Sequence, residues 1–140
     1  MPTVNICAID ISHAFDRLNQ NKLFLKLAER NAPPNFILIL KCWYSKCFIC
    51  VKWASSMSER VQITVGVKQG GVLSPYLFAV YVDNLLYKLQ RSGLGCHIKS
   101  FCFNSVLYAD DLLLKSISIT DMNQMIEICR ETLADIDFYK

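Results

Sequence analysis

The sequence predicts an α+β fold in which helices pack on one face of an antiparallel sheet. Three observations lead to this prediction: an apolar run with β-branched residues at 4–11, further short β-rich segments between 48 and 116, and helical repeats of apolar residues between and after them. The predicted order is strand, two helices, hairpin, helix, strands and helix, which is typical of helices layered on an antiparallel sheet.

The run at 4–11 is interrupted only by Asn5 and Asp10, which is the pattern of a central strand covered on both faces. Asp10 falls near the carboxyl end of this strand. A charged residue at the end of an apolar strand is a candidate for chemistry, although Asp also favours turns.

Two helices are predicted next, at 19–31 and from Pro34 onward. The first has an apolar face opposite a basic one, and the basic face holds Lys22, Lys26 and Arg30. The apolar face holds Leu23, Phe24, Leu27 and Ala28. The second is predicted to turn Phe36, Leu40 and Trp43 or Tyr44 inward.

A hairpin is predicted from the β-rich segments 48–54 and 61–67. A helix follows, with Ser74 as its N-cap and Pro75 in its first turn, and it continues to Ser92 and Gly93. Its inner face is predicted to hold Phe78, Tyr81, Leu85 and Leu89.

The last third of the chain is predicted to form short strands at 98–103, 105–109 and 112–116, followed by a helix capped by Thr120. Asp110 and Asp111 connect the second and third of these strands. The inner face of the helix is predicted to hold Met122, Met125, Ile126, Cys129, Leu133 and Ile136. The sequence shows no repeat, linker or change of composition, so residues 1–140 are predicted to form one domain.

Composition limits the class of protein. With 53% hydrophobic and 19% charged residues, the chain is more apolar than a typical small domain and is expected to carry apolar surface for a partner. A net charge of +3 permits a nucleic-acid partner without requiring one. The first residues lack a basic segment, and the longest apolar run, 36–40, is too short to cross a membrane. We therefore expect an intracellular protein, nuclear or cytoplasmic, that is neither secreted nor membrane-bound.

Seven cysteines cannot all pair within the chain, and we expect reduced thiols packed as small hydrophobic residues. Cys42, Cys47 and Cys50 match part of an iron–sulfur spacing. Because the next cysteine is Cys96, and because a strand at 48–53 spreads the thiols over both faces, the sequence argues against a cluster there.

Asp110 and Asp111 are costly to bury side by side between apolar runs, since each carboxylate loses hydration and repels the other. Water or cations must compensate. If the first strand lies beside the hairpin, Asp10 joins them at one end of the sheet. Oxygen-rich sites of this kind suit Mg²⁺, and two such ions can assist an in-line phosphoryl transfer. The alternative is that all three aspartates simply occupy turns.

Gln69, Gly70 and Gly71 precede the central helix. They offer a side-chain amide and a bare backbone that a base or sugar can approach closely. The alternative is an ordinary glycine turn before a helix.

Taken together, three segments resemble successive motifs of reverse transcriptases. These are A-I-D-I-S-H-A-F-D-R-L at 8–18, G-V-K-Q-G-G-V-L-S-P-Y-L-F-A-V-Y-V-D-N-L at 66–85, and L-Y-A-D-D-L-L-L at 107–114. Their order and spacing match as well. The sequence is most similar to enzymes of non-LTR, LINE-type retrotransposons, with group II intron enzymes as the close alternative.

The resemblance implies a polymerase palm, an RNA-directed DNA polymerase activity and a role for each matching residue. Asp10 and Asp110 would bind two Mg²⁺ ions, with Mn²⁺ as a substitute, the Ile11 carbonyl as a further ligand and Asp111 as a supporting carboxylate. Phe15 would lie under the incoming sugar. Gln69 and Gly70 would touch the nucleotide and template, and Tyr108 would lie beside the primer end.

The resemblance also implies an RNA template, a DNA primer and deoxynucleoside triphosphates (dNTPs) as partners. Because family members surround the palm with fingers and a thumb, these 140 residues are expected to be a partial domain that is inactive alone. The missing segments or a partner would cover its apolar faces. The remaining alternatives are an inactive relic or binding module that keeps the fold, and another two-metal enzyme such as a cyclase or nuclease.

Overall fold

The computed structural model describes residues 3–11 and 13–138, and these residues form five helices and nine strands. The helices are α1 (Ala14–Arg17), α2 (Gln20–Glu29), α3 (Pro34–Tyr44), α4 (Ser74–Arg91) and α5 (Ile119–Asp135). The strands are β1 (Asn5–Asp10), β2 (Phe48–Ile49), β3 (Lys52–Trp53), β4 (Ser56–Met57), β5 (Val61–Gln62), β6 (His97–Ile98), β7 (Phe101–Cys102), β8 (Ser105–Tyr108) and β9 (Asp111–Ser116). The predicted α+β class is confirmed.

The main sheet has three antiparallel strands in the order β1-β9-β8. One face packs on α4 and α5, and it contributes Leu112 and Leu114, which are 1% and 0% exposed. The other face is open, because Ile6 on β1 is 62% exposed and Val106 on β8 is 49% exposed. Helices therefore cover one face, as predicted. The expectation that the first strand is central and covered on both faces is wrong.

Helix α4 forms the centre of the core. The four inner residues predicted for it are all buried: Phe78, Tyr81, Leu85 and Leu89. Its cap differs from the prediction, because Leu73 is the N-cap and Ser74 is already helical. The Ser74 hydroxyl instead donates to the Lys68 carbonyl, which ties the preceding loop to the helix.

Helix α5 packs against α4 and the sheet. Ser118, and not Thr120, caps it, because the Ser118 hydroxyl accepts from the Asp121 amide at 3.3 Å. The predicted inner residues Met122, Met125, Cys129, Leu133 and Ile136 are buried, and Ile126 is half-buried.

Helix α2 is capped by Asn19, whose side chain accepts from the Asn21 and Lys22 amides at 3.0 and 3.2 Å. Leu23, Phe24 and Leu27 are buried as predicted, but Ala28 is exposed.

The basic side of α2 also faces the protein. Lys26 Nζ donates to the Tyr81 carbonyl at 2.7 Å, and burial lowers the pKa of Lys26. Lys22 Nζ donates to the Asp135 carbonyl at 2.8 Å, and Arg30 forms an ion pair with Asp83. In α3, Leu40 and Tyr44 are buried, whereas Phe36 and Trp43 are 37% and 48% exposed.

The predicted hairpin after α3 is confirmed, because β2 pairs with β5 and β3 pairs with β4 around Ala54 (φ 52°). Its last strand is shorter than predicted, since β5 ends at Gln62 and 63–67 is not a strand. By contrast, β6 and β7 form a tight hairpin around Lys99 (φ 56°), where a single strand at 98–103 was predicted. Within the described part of the chain, no helix is long and apolar enough to span a bilayer.

Candidate functional site

The strand register brings the three predicted aspartates to one end of the main sheet. Asp10 ends β1 and Asp111 begins β9, and the two residues are direct partners in the antiparallel pairing. Directly opposed residues project to the same face, so both carboxylates belong to the open face of the sheet, where both are exposed. Asp110 lies in the turn just before Asp111 and is half-buried.

The turn between β8 and β9 is fixed by the neighbouring strand. The Ile11 amide donates to the Asp110 carbonyl at 2.9 Å, which joins the end of β1 to this turn. Ala109 in the turn has φ 51°, a left-handed conformation that costs a non-glycine residue about 1–2 kcal/mol. The strand pairing on either side supports this strained position. Ile11 is 3% exposed, and its carbonyl accepts from the Ala14 amide at 3.1 Å.

Phe15 and Tyr108 line the same pocket, which has a volume of about 310 Å³. Phe15 lies on α1 and its ring centre is 5.0 Å from that of Phe78, so the ring also packs on the core. Tyr108 is 81% exposed and is paired with Asp111 across the β8–β9 hairpin. The two aromatic residues are thus brought together beside the carboxylates.

Gln69 and Gly70 lie in the exposed loop before α4. The Gln69 Nε2 donates to both carboxylate oxygens of Asp16, at 3.0 and 3.1 Å. Gly70 has φ +74° with open space around it, a conformation that favours glycine. Neither residue lines the pocket of Phe15 and Tyr108, but Asp16 connects the loop to the helix that carries Phe15.

The three aspartates supply oxygen ligands, the type that Mg²⁺ prefers. Among residues 3–11 and 13–138, however, no group of three or more His, Cys, Asp or Glu side chains is close enough to hold a metal ion. The register therefore gathers the carboxylates at one end of the sheet without closing them into a three-ligand site.

The thiols at 42–50 form no such group either. Cys42 and Cys50 are exposed, so the prediction that they pack as small hydrophobic residues is wrong for these two. Cys47 is half-buried, and its Sγ donates to the Trp43 carbonyl at 3.4 Å. Cys129, by contrast, is 1% exposed and belongs to the core.

Sequence reasoning missed helix α1 and the contact between Asp16 and Gln69. The side-chain hydrogen-bond donor to Asp16 is 53 residues away in sequence, so no local pattern reveals this contact. The close backbone contact at Gly66 was missed as well. The available signal is an isolated glycine within the β-rich segment 61–67.

The fold and site define an α+β domain with carboxylates at one sheet end and a glycine loop beside an aromatic pocket. The family model of the reverse transcriptase (RNA-dependent DNA polymerase) matches residues 4–139. The chain belongs to this family.

Three relatives show which reverse transcriptases the chain is similar to. The chain is 33% identical over 109 residues to the Retrovirus-related Pol polyprotein from type-2 retrotransposable element R2DM of Drosophila melanogaster, covering 78% of this chain and 10% of that protein. It is 29% identical over 131 residues to the transposon TX1 uncharacterized 149 kDa protein of Xenopus laevis, covering 91% and 10%. It is 29% identical over 126 residues to the RNA-directed DNA polymerase from mobile element jockey of Drosophila funebris, covering 86% and 13%.

These relatives confirm the predicted resemblance to non-LTR retrotransposon enzymes. The chain spans about a tenth of the length of the first relatives it matches. The activity, substrates and partners of the whole proteins are therefore proposals for this chain.

Proposed function

We propose that this chain forms the catalytic palm of an RNA-directed DNA polymerase from a non-LTR retrotransposon. Its reaction would transfer a nucleotide from a dNTP to the 3′-hydroxyl of a DNA primer paired with an RNA template. The observation that carries the proposal is the register of β1 with β9, which pairs Asp10 with Asp111 and bonds the turn residue Asp110 to Ile11.

Asp10 and Asp110 would hold two divalent metal ions, with Asp111 as a supporting carboxylate and the Ile11 carbonyl as a further ligand. When bound, Mg²⁺ or Mn²⁺ supplies charge stabilisation to the attacking and leaving oxygens of phosphoryl transfer. The open face of the sheet leaves the exposed carboxylates Asp10 and Asp111 accessible to cations, which would in turn bind a substrate phosphate.

Phe15 and Tyr108 would contact the substrates from the pocket that they share. A rigid aromatic ring under the sugar leaves little room for a 2′-hydroxyl, and the packing of Phe15 on Phe78 limits how far its ring can retreat. Tyr108, 81% exposed and next to the carboxylates in the hairpin, would lie beside the primer end. Gln69 and Gly70 would touch the incoming nucleotide and template.

The proposal is tested in a chimera that supplies the rest of a polymerase. The matched segment of the jockey RNA-directed DNA polymerase is replaced by this chain, and primer extension is measured on an RNA template with Mg²⁺. We expect the chimera to extend the primer, and we expect Asp110→Asn to abolish this extension. Asp135→Asn, an identical charge change at the end of α5, should leave extension unchanged.

Two results would reject the proposal. One is a folded chimera, verified by circular dichroism, that extends no primer. The other is a chimera whose extension is the same with Asp110→Asn as without it. A Phe15→Val variant adds a test of the pocket, because a smaller side chain should raise the incorporation of ribonucleotides relative to deoxynucleotides.

A further inference from the structure

The loop before α4 is clamped to the segment of α1 by direct backbone contacts. The Val67 amide donates to the Phe15 carbonyl and the Gly66 amide donates to the Leu18 carbonyl, both at 2.7 Å. A Cβ atom on Gly66 would lie 2.7 Å from the carbonyl oxygens of Phe15 and Asp16, so only glycine fits. The two segments therefore have one fixed relative position.

Asp16 and Gln69 extend this clamp with a side-chain contact. Asp16 directly follows Phe15 on α1, and Gln69 lies two residues beyond Val67, so the backbone clamp presents the two side chains to each other. The Gln69 Nε2 donates to the Asp16 Oδ1 and Oδ2 at 3.0 and 3.1 Å. The ring of His13 is farther from the same carboxylate, at 3.9 Å, which leaves Gln69 as the nearer donor.

The chemistry of this pair determines which way the amide of Gln69 points. An ionised carboxylate only accepts hydrogen bonds, whereas an amide has a donor end and an acceptor end. The NH₂ end of Gln69 must therefore face Asp16, and its Oε1 must face away from it. An amide at position 16 would accept either orientation of Gln69.

We propose that Asp16 is a positioning residue that fixes the amide orientation of Gln69 and leaves Oε1 free to accept a hydrogen bond from a hydroxyl or amino group of a nucleotide. This inference rests on the proposed function, since it gives Gln69 a nucleotide as its ligand. Because the Asp16 side chain is 54% exposed, water competes for the contact, and the expected effect is several-fold.

The contact itself is tested by NMR on the 140-residue chain. The side-chain NH₂ signals of Gln69 are assigned by their loss in Gln69→Glu. We expect Asp16→Asn and Asp16→Ala to shift these signals and to speed the exchange of their protons with water. Asp16→Glu should restore them in part, and Asp135→Asn should leave them unchanged. Signals that Asp16→Ala does not move in a folded chain would overturn the inference.

The role toward a nucleotide is tested in the jockey chimera, which supplies the rest of the polymerase, by measuring the KM for dATP in primer extension. We expect Asp16→Asn to raise this KM about three- to tenfold, the range of one hydrogen bond, and Asp135→Asn to leave it unchanged. A KM that Asp16→Asn does not change, in a chimera that extends primers, would overturn this role. A folded chimera that extends no primer would instead reject the proposed function.

Discussion

Asp10 and Asp111 face each other directly across the pairing of β1 with β9. Both carboxylates lie on the open face of the sheet, which the helices do not cover. Like charges in directly opposed positions destabilise an antiparallel pair by about 0.2–1 kcal/mol. The register thus keeps a repulsive pair at the end of the sheet, and a bound cation would relieve that repulsion.

Replacing one member of this pair should separate two effects, the repulsion between the carboxylates and their binding of a cation. We expect Asp111→Asn to raise the free energy of unfolding without metal by about 0.5 kcal/mol, because the like-charge repulsion is lost. The same change should reduce the rise in Tm on adding Mg²⁺, because one ligand charge is gone. Thermal unfolding by circular dichroism, in EDTA and in excess MgCl₂, measures both effects.

The control for this substitution is Asp135→Asn, which removes the same charge from the end of α5, where Asp135 pairs with Lys88 at 3.7 Å. It should keep the response to Mg²⁺ of the unchanged chain. An equal rise in Tm for the unchanged chain and for Asp111→Asn would contradict a role of the sheet end in metal binding.

Gly66 should be far less tolerant of alanine than Gly70, although both have positive φ, +83° and +74°. At Gly70 an added Cβ meets open space, so Gly70→Ala should cost only the left-handed conformation, about 1–2 kcal/mol. At Gly66 the Cβ also collides with backbone, and we expect a loss of about 3 kcal/mol or more. Urea unfolding followed by tryptophan fluorescence compares the two. Equal losses of unfolding free energy would show that the backbone of α1 shifts at little cost to make room for the added Cβ atom.

The end of the sheet could be predicted from sequence because its signals are local. Apolar runs that stop at Asp10 and Asp110 mark strand ends, and the antiparallel order brings those ends together. Helix α4 was predictable for the same reason, since its buried residues repeat at helical spacing.

Other features depended on contacts that no local pattern reveals. A continuous apolar run is the pattern of a strand covered on both faces, but in β1 the apolar residues Ile6 and Ala8 lie on the open face, so that face was missed. The chain reverses at Lys99 without glycine or proline to signal it. The bond between Asp16 and Gln69 joins positions 53 residues apart and requires the clamp at Gly66.

Cys129 should make the protein less stable in mild alkali. Burial, with a smaller contribution from Cys7, raises the pKa of its thiol from 9.0 to about 12. Above pH 9.0 the thiol ionises in the unfolded chain but not in the folded one, so the unfolded state binds fewer protons and stability falls as pH rises. The fall approaches about 1.4 kcal/mol per pH unit.

The measurement is urea unfolding between pH 8 and pH 10.0, where Tyr44 and Tyr81, whose pKa burial also raises, contribute only toward the upper end of the range. Cys129→Ala should flatten the fall, and Cys42→Ala, at an exposed thiol, should not. An unchanged slope in Cys129→Ala would assign the alkaline loss of stability to other groups.

Tyr81→Phe should destabilise the junction of α2, α4 and α5. The Tyr81 ring is 0% exposed, and its hydroxyl donates to the Ile136 carbonyl at 3.0 Å and accepts from the Asn19 amide at 3.3 Å. Removing the hydroxyl leaves the buried carbonyl without this donor, so we expect a loss of about 1–3 kcal/mol in the free energy of unfolding. Tyr76→Phe is the matched control, since Tyr76 lies on the same helix and is 70% exposed, and it should be nearly neutral. Urea unfolding of both variants is the measurement. Equal effects would mean that the two hydrogen bonds of Tyr81 contribute no more than an exposed hydroxyl.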